Sequence, residues 1–215
     1  ISGLDLAENL RKQAERFGAK IELDEVSNIR KEGDVVVLDT FSGERRAKAV
    51  LIATGTEYKK LGIPGEAEYL SRGVHYCATC DGAFYRDKKI IVVGGGNSAV
   101  QEALFLTKFA SHIDLLIRSD VFRASDVLLH ELEKNKQITV HMNTTTDEII
   151  GDGSKVTAVK GTDKKANKQV TFQTDGVFVF VGLKPNTQFL GKDIELDEIG
   201  FVKTNDRLET SLPGV

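Results

Sequence analysis

The stretch Lys88–Ala110, KKIIVVGGGNSAVQEALFLTKFA, decides the fold. Lys88–Val93 reads as a strand rich in β-branched residues. Gly94–Gly96 reads as a tight turn, and Asn97 and Ser98 as caps of a helix running to about Phe109. HIDLLIR at 112–118 is the next strand. Strand, helix, strand in this order is the signature of an α/β fold with a parallel sheet.

Within that stretch, Gly94-Gly95-Gly96-Asn97-Ser98-Ala99 matches G-x-G-x-x-A. Gly94 permits the turn, Gly96 lets a pyrophosphate approach the backbone, and Ala99 lets helix and strand pack closely. The free N–H groups of the first helical turn then bind the anion. A glycine triplet alone is a weak signal. Here it follows a strand and opens a helix, as dinucleotide binding requires. The tip of the following strand carries Arg118, with Arg123 soon after, and both suit the 2′-phosphate of NADPH. Asp114, the rival that would favour NAD, falls near the start of its strand rather than the tip.

Outward from this core, residues 4–18 place Leu4, Leu6, Leu10, Ala14 and Phe17 near helical spacing, with Gly18 as the stop. KIELDEV (20–26) and DVVVLDT (34–40) read as strands, FSGERR (41–46) as a hairpin turn, and AKAVLIATGTE (47–57) as a buried strand. KKLGIPGEAEYLSRG (59–73) reads as a crossing between domains. SDVLLHELEKN (125–135) is a helix with Ser125 as N-cap, and QITVHMN (137–143) a strand. KVTAVKGT and KQVTFQT form a hairpin around a Lys-rich turn, and GVFVFVGLKPNT (176–187) is a buried strand ending at a glycine turn.

The chain has 215 residues and only two cysteines, both in Cys77-Ala78-Thr79-Cys80-Asp81-Gly82. A bridge across C-x-x-C closes a tiny loop and adds little stability, so the pair is not a structural framework. Three readings remain: a redox dithiol, half of a zinc site, and inert buried cysteines. Asp81 adjoins the second thiol and could shuttle its proton. A zinc site needs four ligands; the sequence offers no second C-x-x-C, and although His75 lies two residues from Cys77, His112, His130 and His141 show no knuckle spacing, so no metal is assigned. His75 reads as a loop residue. A dithiol beside a nicotinamide site implies a flavin between them. The pointers to FAD are Ala53-Thr54-Gly55 and the closing LETSLPGV, without a first glycine fingerprint.

Composition narrows the classes further. Hydrophobic residues make up 40% and charged residues 28%, ordinary for a globular chain. A net charge of −3 gives no reason to expect nucleic acid or an anionic membrane as partner. No apolar run approaches the roughly 20 residues needed to span a bilayer, and no apolar signal region is visible. The chain starts without Met and stops at TSLPGV, and reads as a piece of a longer protein.

Taken together, ATGT at 53–56, GVHYCATCDGAFYRDKKIIVVGGGNSAVQEAL, FRA at 122–124, VGLKPNT at 181–187 and TSLPGV at 210–215 resemble the low-molecular-weight thioredoxin reductases of the pyridine nucleotide-disulfide oxidoreductase superfamily. The resemblance covers essentially the whole chain. It implies a Rossmann-like three-layer NADPH-binding domain at 59–183, inserted in a partial FAD-binding domain at 1–58 and 184–215. It implies electron flow from NADPH through FAD to the Cys77–Cys80 disulfide and on to thioredoxin. Cys80 would face the flavin, Cys77 would attack thioredoxin, and Asp81 would donate the proton. It also implies a cytoplasmic homodimer. Three departures stand out: the FAD glycine fingerprint and a Gly-Asp motif after Val215 are missing, and the family's His-Arg-Arg-x-x-x-Arg appears as Ile117-Arg118-Ser119-Asp120-Val121-Phe122-Arg123. The loss of one Arg weakens the expected preference for NADPH. The alternatives are an alkyl hydroperoxide reductase flavoprotein-like enzyme and a non-catalytic nucleotide-binding module.

Overall fold

The computed structural model describes residues 2–215. The chain falls into two compact units: the segment up to Gly55 together with Pro185–Val215, and Thr56–Lys184.

The first unit begins with helix α1 (Gly3–Arg16). Ser2 starts it through a reciprocal capping box: the Asp5 N–H donates to Ser2 Oγ at 3.1 Å, and the Ser2 N–H donates to the Asp5 carboxylate at 3.3 Å. The helix buries none of its residues, and Leu4, Leu10 and Phe17 are exposed. An antiparallel meander follows, β1 (Val26–Glu32), β2 (Val35–Thr40) and β3 (Gly43–Ala47). Its core is Ile29 and Val36 packed on Ile194 and Leu212.

Two expected strands are absent here. Residues 20–25 are irregular, and only Val26 of KIELDEV enters a strand. Leu23 is fully exposed, so its apolar alternation meets no core. AKAVLIATGTE leaves its strand at Ala47 and runs irregularly to Gly55, with Leu51 exposed. An apolar run becomes a strand only where a neighbour satisfies its backbone groups. Here the run has scattered ties rather than a ladder, among them the Val50 N–H to the Gly214 carbonyl at 2.8 Å and the Asn186 N–H to the Gly55 carbonyl at 3.1 Å. The hairpin turn is also shorter than expected, because Gly43–Ala47 of FSGERRA pairs with β2.

The second unit is a three-layer α/β structure. The chain enters on β4 (Thr56–Tyr58) and reaches β5 (Val74–His75) through a run of turns. A single helical turn, α2 (Ala78–Asp81), is continued by a 3₁₀ turn at Gly82–Tyr85. Then come β6 (Lys89–Val93), α3 (Asn97–Leu106), β7 (His112–Leu116), α4 (Asp126–Lys134) and β8 (Ile138–His141). A second meander, β9 (Glu148–Gly151), β10 (Val156–Asp163) and β11 (Lys168–Gln173), precedes β12 (Gly176–Val179) and β13 (Leu183–Pro185).

The central sheet has five parallel strands in the order β5-β12-β6-β7-β8. Ile90 and Val92 point to one face, where they meet Val100, Ala103 and Leu106 of α3 and Leu132 of α4. Ile91 and Val93 point to the other, where they meet Ile149, Val156 and Val159 of the antiparallel meander. Both faces of β6 are therefore dry, which is why its sequence is continuously apolar rather than alternating. Phe178 of β12 is fully buried and packs against His75 and Tyr85. Replacing Phe178 with Ala is expected to cost about 3–5 kcal/mol, read as a lower urea midpoint with an unchanged slope.

Candidate active site

Parallel strands present their carboxyl ends together, and ligands of open α/β sheets gather there. Two segments leave this sheet at the same end and height. Phe178 of β12 pairs with His75 of β5 on one side and with Val92 of β6 on the other. Cys77 follows His75 by two residues, and Gly94 follows Val92 by two. The thiol loop and the glycine turn thus flank one intervening strand.

The glycine turn is built for close approach. Gly94 has φ +143°, and a Cβ there would overlap the Phe180 carbonyl and lie 2.8 Å from Ala99 Cβ. At Gly95 a Cβ would meet Ile117 Cγ2 at 2.8 Å, whereas at Gly96 it would meet nothing within 4 Å. The first two glycines answer to packing and the third leaves open space, as a diphosphate requires. The helix cap differs from expectation. Gly96, in extended conformation, is the N-cap of α3, and no side chain caps the helix. Asn97 instead accepts the Ser125 N–H on its Oδ1 at 2.8 Å, which ties the start of α4 to α3. Ser125 is the N-cap of α4 but makes no side-chain cap bond. The first N–H groups of α3 are left without a side-chain acceptor, so the residues present fit an anionic nucleotide.

Arg123 stands beside this turn: its N–H donates to the Gly95 carbonyl at 2.8 Å. Arg118 follows the tip of β7, and both arginine side chains are exposed. Asp114 lies in the middle of β7 and is engaged elsewhere. It binds His141 Nε2 at 2.7 Å, with His112 at 3.6 Å. Burial works against its ionisation, but these histidines outweigh burial and hold the carboxyl below its ordinary range.

Cys77 and Cys80 are joined in a disulfide with Cα atoms 5.3 Å apart. Sulfurs bonded to each other are not metal ligands. Cys77 is the N-cap of α2, and its Sγ accepts the Cys80 N–H at 3.2 Å. Cys77 is half-buried and Cys80 exposed.

His75, expected to be a plain loop residue, is the last residue of a buried edge strand and is 8% exposed. Its Nδ1 lies 3.2 Å from Asp81 Oδ2, and its Nε2 lies 2.7 Å from the Tyr85 hydroxyl. Burial pushes its pKa down, against the pull of Asp81. The Tyr85 hydroxyl is pushed up to about 12 by burial and the nearby Asp81 and Asp175 carboxylates. No local spacing rule links residues 75, 81 and 85; the one-turn helix brings them together.

In the other unit, Thr54 Oγ1 donates to the Asn186 carbonyl at 2.8 Å, and Asn186 Nδ2 returns a bond to the Thr54 carbonyl at 3.0 Å. Gly55, with φ +66°, accepts the Asn186 N–H at 3.1 Å, and Ala53 is exposed. Thr54 and Asn186 border an open, mostly apolar cleft of about 500 Å³ that includes Leu38, Val50, Ile52 and Phe189. An apolar cleft edged by amide and hydroxyl groups fits a flat aromatic ligand.

A nucleotide cradle and a disulfide at one end of a parallel sheet define a redox protein of the nucleotide-dependent kind. Residues 3–215 match the family described as pyridine nucleotide-disulphide oxidoreductase. The chain is 41% identical over 215 residues to a thioredoxin reductase of Treponema pallidum, covering 100% of this chain and 69% of the relative. The solved thioredoxin reductase of Giardia duodenalis superposes with TM-score 0.83 at 35% identity, over 100% of this chain and 71% of that one. That of Streptococcus pyogenes gives TM-score 0.78 at 40% identity, over 100% and 70%. The chain belongs to the pyridine nucleotide-disulphide oxidoreductase family.

The turn separates packing from binding. Gly94→Ala is expected to destabilise the fold by at least the roughly 1–3 kcal/mol of backbone strain. Gly96→Ala is expected to stay within about 0.5 kcal/mol of the parent while losing nucleotide binding. Thermal melts paired with nucleotide titration would distinguish them.

Proposed function

We propose that this chain carries the electron path of a thioredoxin-disulfide reductase. The observation that carries the reading is the Cys77–Cys80 disulfide leaving the sheet at the same end as an uncapped glycine-turn helix. The named relatives supply the substrate class. The unit Thr56–Lys184 is assigned to NADPH, held by Gly94, Gly95, Gly96, Asn97, Ser98 and Ala99, with Arg118 and Arg123 for its 2′-phosphate. The other unit is assigned to FAD, with Ala53, Thr54 and Gly55 beside the cleft. When bound, the two cofactors supply two electrons that open the Cys77–Cys80 disulfide.

The protein's own residues then do the exchange. Cys77, as thiolate, attacks one sulfur of the thioredoxin disulfide; a Cys77–thioredoxin bond forms as the thioredoxin S–S bond breaks. Asp81 takes the Cys80 proton and hands it to the departing thioredoxin sulfur. Cys80, now a thiolate, attacks Cys77; the Cys77–Cys80 bond reforms and the second thioredoxin sulfur leaves as a thiolate. Thioredoxin gains two electrons, and Asp81 ends as the carboxylate it began.

Two finer readings rest on the resemblance: the working form is a homodimer, and its place is the cytoplasm. The latter accords with a disulfide that is exchanged rather than structural. Among the described residues no helix is long and apolar enough to cross a membrane.

An absorbance spectrum is the direct test. The flavin-loaded protein is expected to be yellow and to bleach with NADPH; yellow protein that neither NADPH nor NADH bleaches would overturn the reading. Changing either cysteine to Ser should abolish thioredoxin reduction yet preserve bleaching. Arg118→Ala should raise KM for NADPH by roughly ten- to a hundredfold, the value of one charged hydrogen bond, and leave KM for NADH little changed. An equal rise in both removes Arg118 from the phosphate site.

A further inference from the structure

We propose that His75, held by Tyr85, is a positioning residue that orients the Asp81 carboxylate and stabilises it in its proton-carrying role at the Cys77–Cys80 pair. This rests on the reading of Asp81 as the proton carrier above. The imidazole is buried; its Nδ1 lies 3.2 Å from Asp81 Oδ2, and its Nε2 is hydrogen-bonded to the Tyr85 hydroxyl at 2.7 Å. A carboxylate only accepts, so Nδ1 carries the hydrogen; Nε2 is then the acceptor of the Tyr85 O–H.

The ring is fixed by more than its hydrogen bonds. It stacks on Phe178 with centroids 5.2 Å apart, and Tyr85 packs edge-on against both rings. Behind the pair lies a cavity of about 230 Å³, lined by His75 and Tyr85 together with Arg72, Lys88, Lys155 and Asp175. The charged and titratable groups around the imidazole are thus Asp81 and Tyr85 in direct contact and these four in the cavity. Arg72 is occupied by the Gly153 carbonyl at 3.0 Å and the Glu68 carbonyl, and Lys88 lies over the Tyr85 ring. Asp81 is therefore the one carboxylate within ion-pair distance of the ring among the described residues. A buried imidazole kept neutral supplies a donor without adding a charge.

Removing the Nδ1–H donor leaves the carboxylate less stabilised and raises the pH at which Asp81 releases its proton. The acid limb of turnover, set by that carboxylate, moves up with it. The test is a ¹³C titration of the Asp81 carboxyl in the disulfide form, assigned with Asp81→Asn. It is joined by pH profiles of thioredoxin-disulfide reduction by the flavoenzyme. His75→Phe is expected to raise the Asp81 midpoint above that of the parent. The acid limb should rise by the same amount. His75→Asn, whose amide nitrogen overlies Nδ1, should restore most of the shift. Tyr85→Phe should give a smaller rise, and it keeps the test decisive if His75→Phe does not fold. An Asp81 midpoint that stays at the parent value in every folded variant overturns the proposal, while a slow Asp81→Asn enzyme leaves the proton-carrier reading standing. An Asp81→Asn enzyme with full turnover at every pH overturns both.

Discussion

Crowding at the carboxyl end of β6 sets the terms for the second unit. At Gly94 the Phe180 carbonyl comes from one side and Ala99 from the other, while the Gly94 N–H donates to the Leu116 carbonyl at 3.1 Å. A side chain at that point would push β12 or α3 away from β6. With only hydrogen there, the chain turns sharply and α3 starts directly over the sheet. Its first N–H groups then face outward at the strand tips. The anion site follows from a packing requirement, and the dry faces of β6 make that requirement rigid.

The same rigidity explains how much of this was legible in the residues. Lys88–Val93 could be read because a strand buried on both faces leaves a continuous apolar record, and the glycines because no other residue meets the steric demand. The antiparallel β9 was missed, since Glu148–Gly151 is a four-residue strand with one buried position. KIELDEV and AKAVLIATGTE carried strand-like composition, yet a strand needs a neighbour, and neighbours are a property of the fold. Asn97 looked like a cap and proved to be a clasp to Ser125. A short polar side chain at a helix start can serve either purpose, and local sequence does not choose between them.

The thiol site was legible by half. Cys77, Cys80 and Asp81 stand in one short motif, whereas His75 and Tyr85 belong to it through the tertiary path of the chain. An imidazole at the end of an edge strand, stacked on a fully buried Phe178, cannot remain unpaired without a penalty of about 1–3 kcal/mol for each orphaned group. Both of its partners come from the segment just after the cysteines. Satisfying the histidine therefore folds Ala78–Tyr85 back against β5. The bonds that pay for its burial are the ones that aim Asp81.

That coupling bears on how one strand serves two chemistries. β12 lies between the strand that delivers the cysteines and the strand that delivers the glycine turn, and it pairs with both in register. Strands stand about 4.8 Å apart, so the two segments leave the sheet roughly 10 Å from one another. One strand therefore brings the sulfur pair and the anion site to the same edge of the sheet while keeping each on its own backbone segment. The need for a flavin follows from the chemistry that joins a two-electron hydride donor to a disulfide, and the register of three strands sets where the disulfide waits for those electrons.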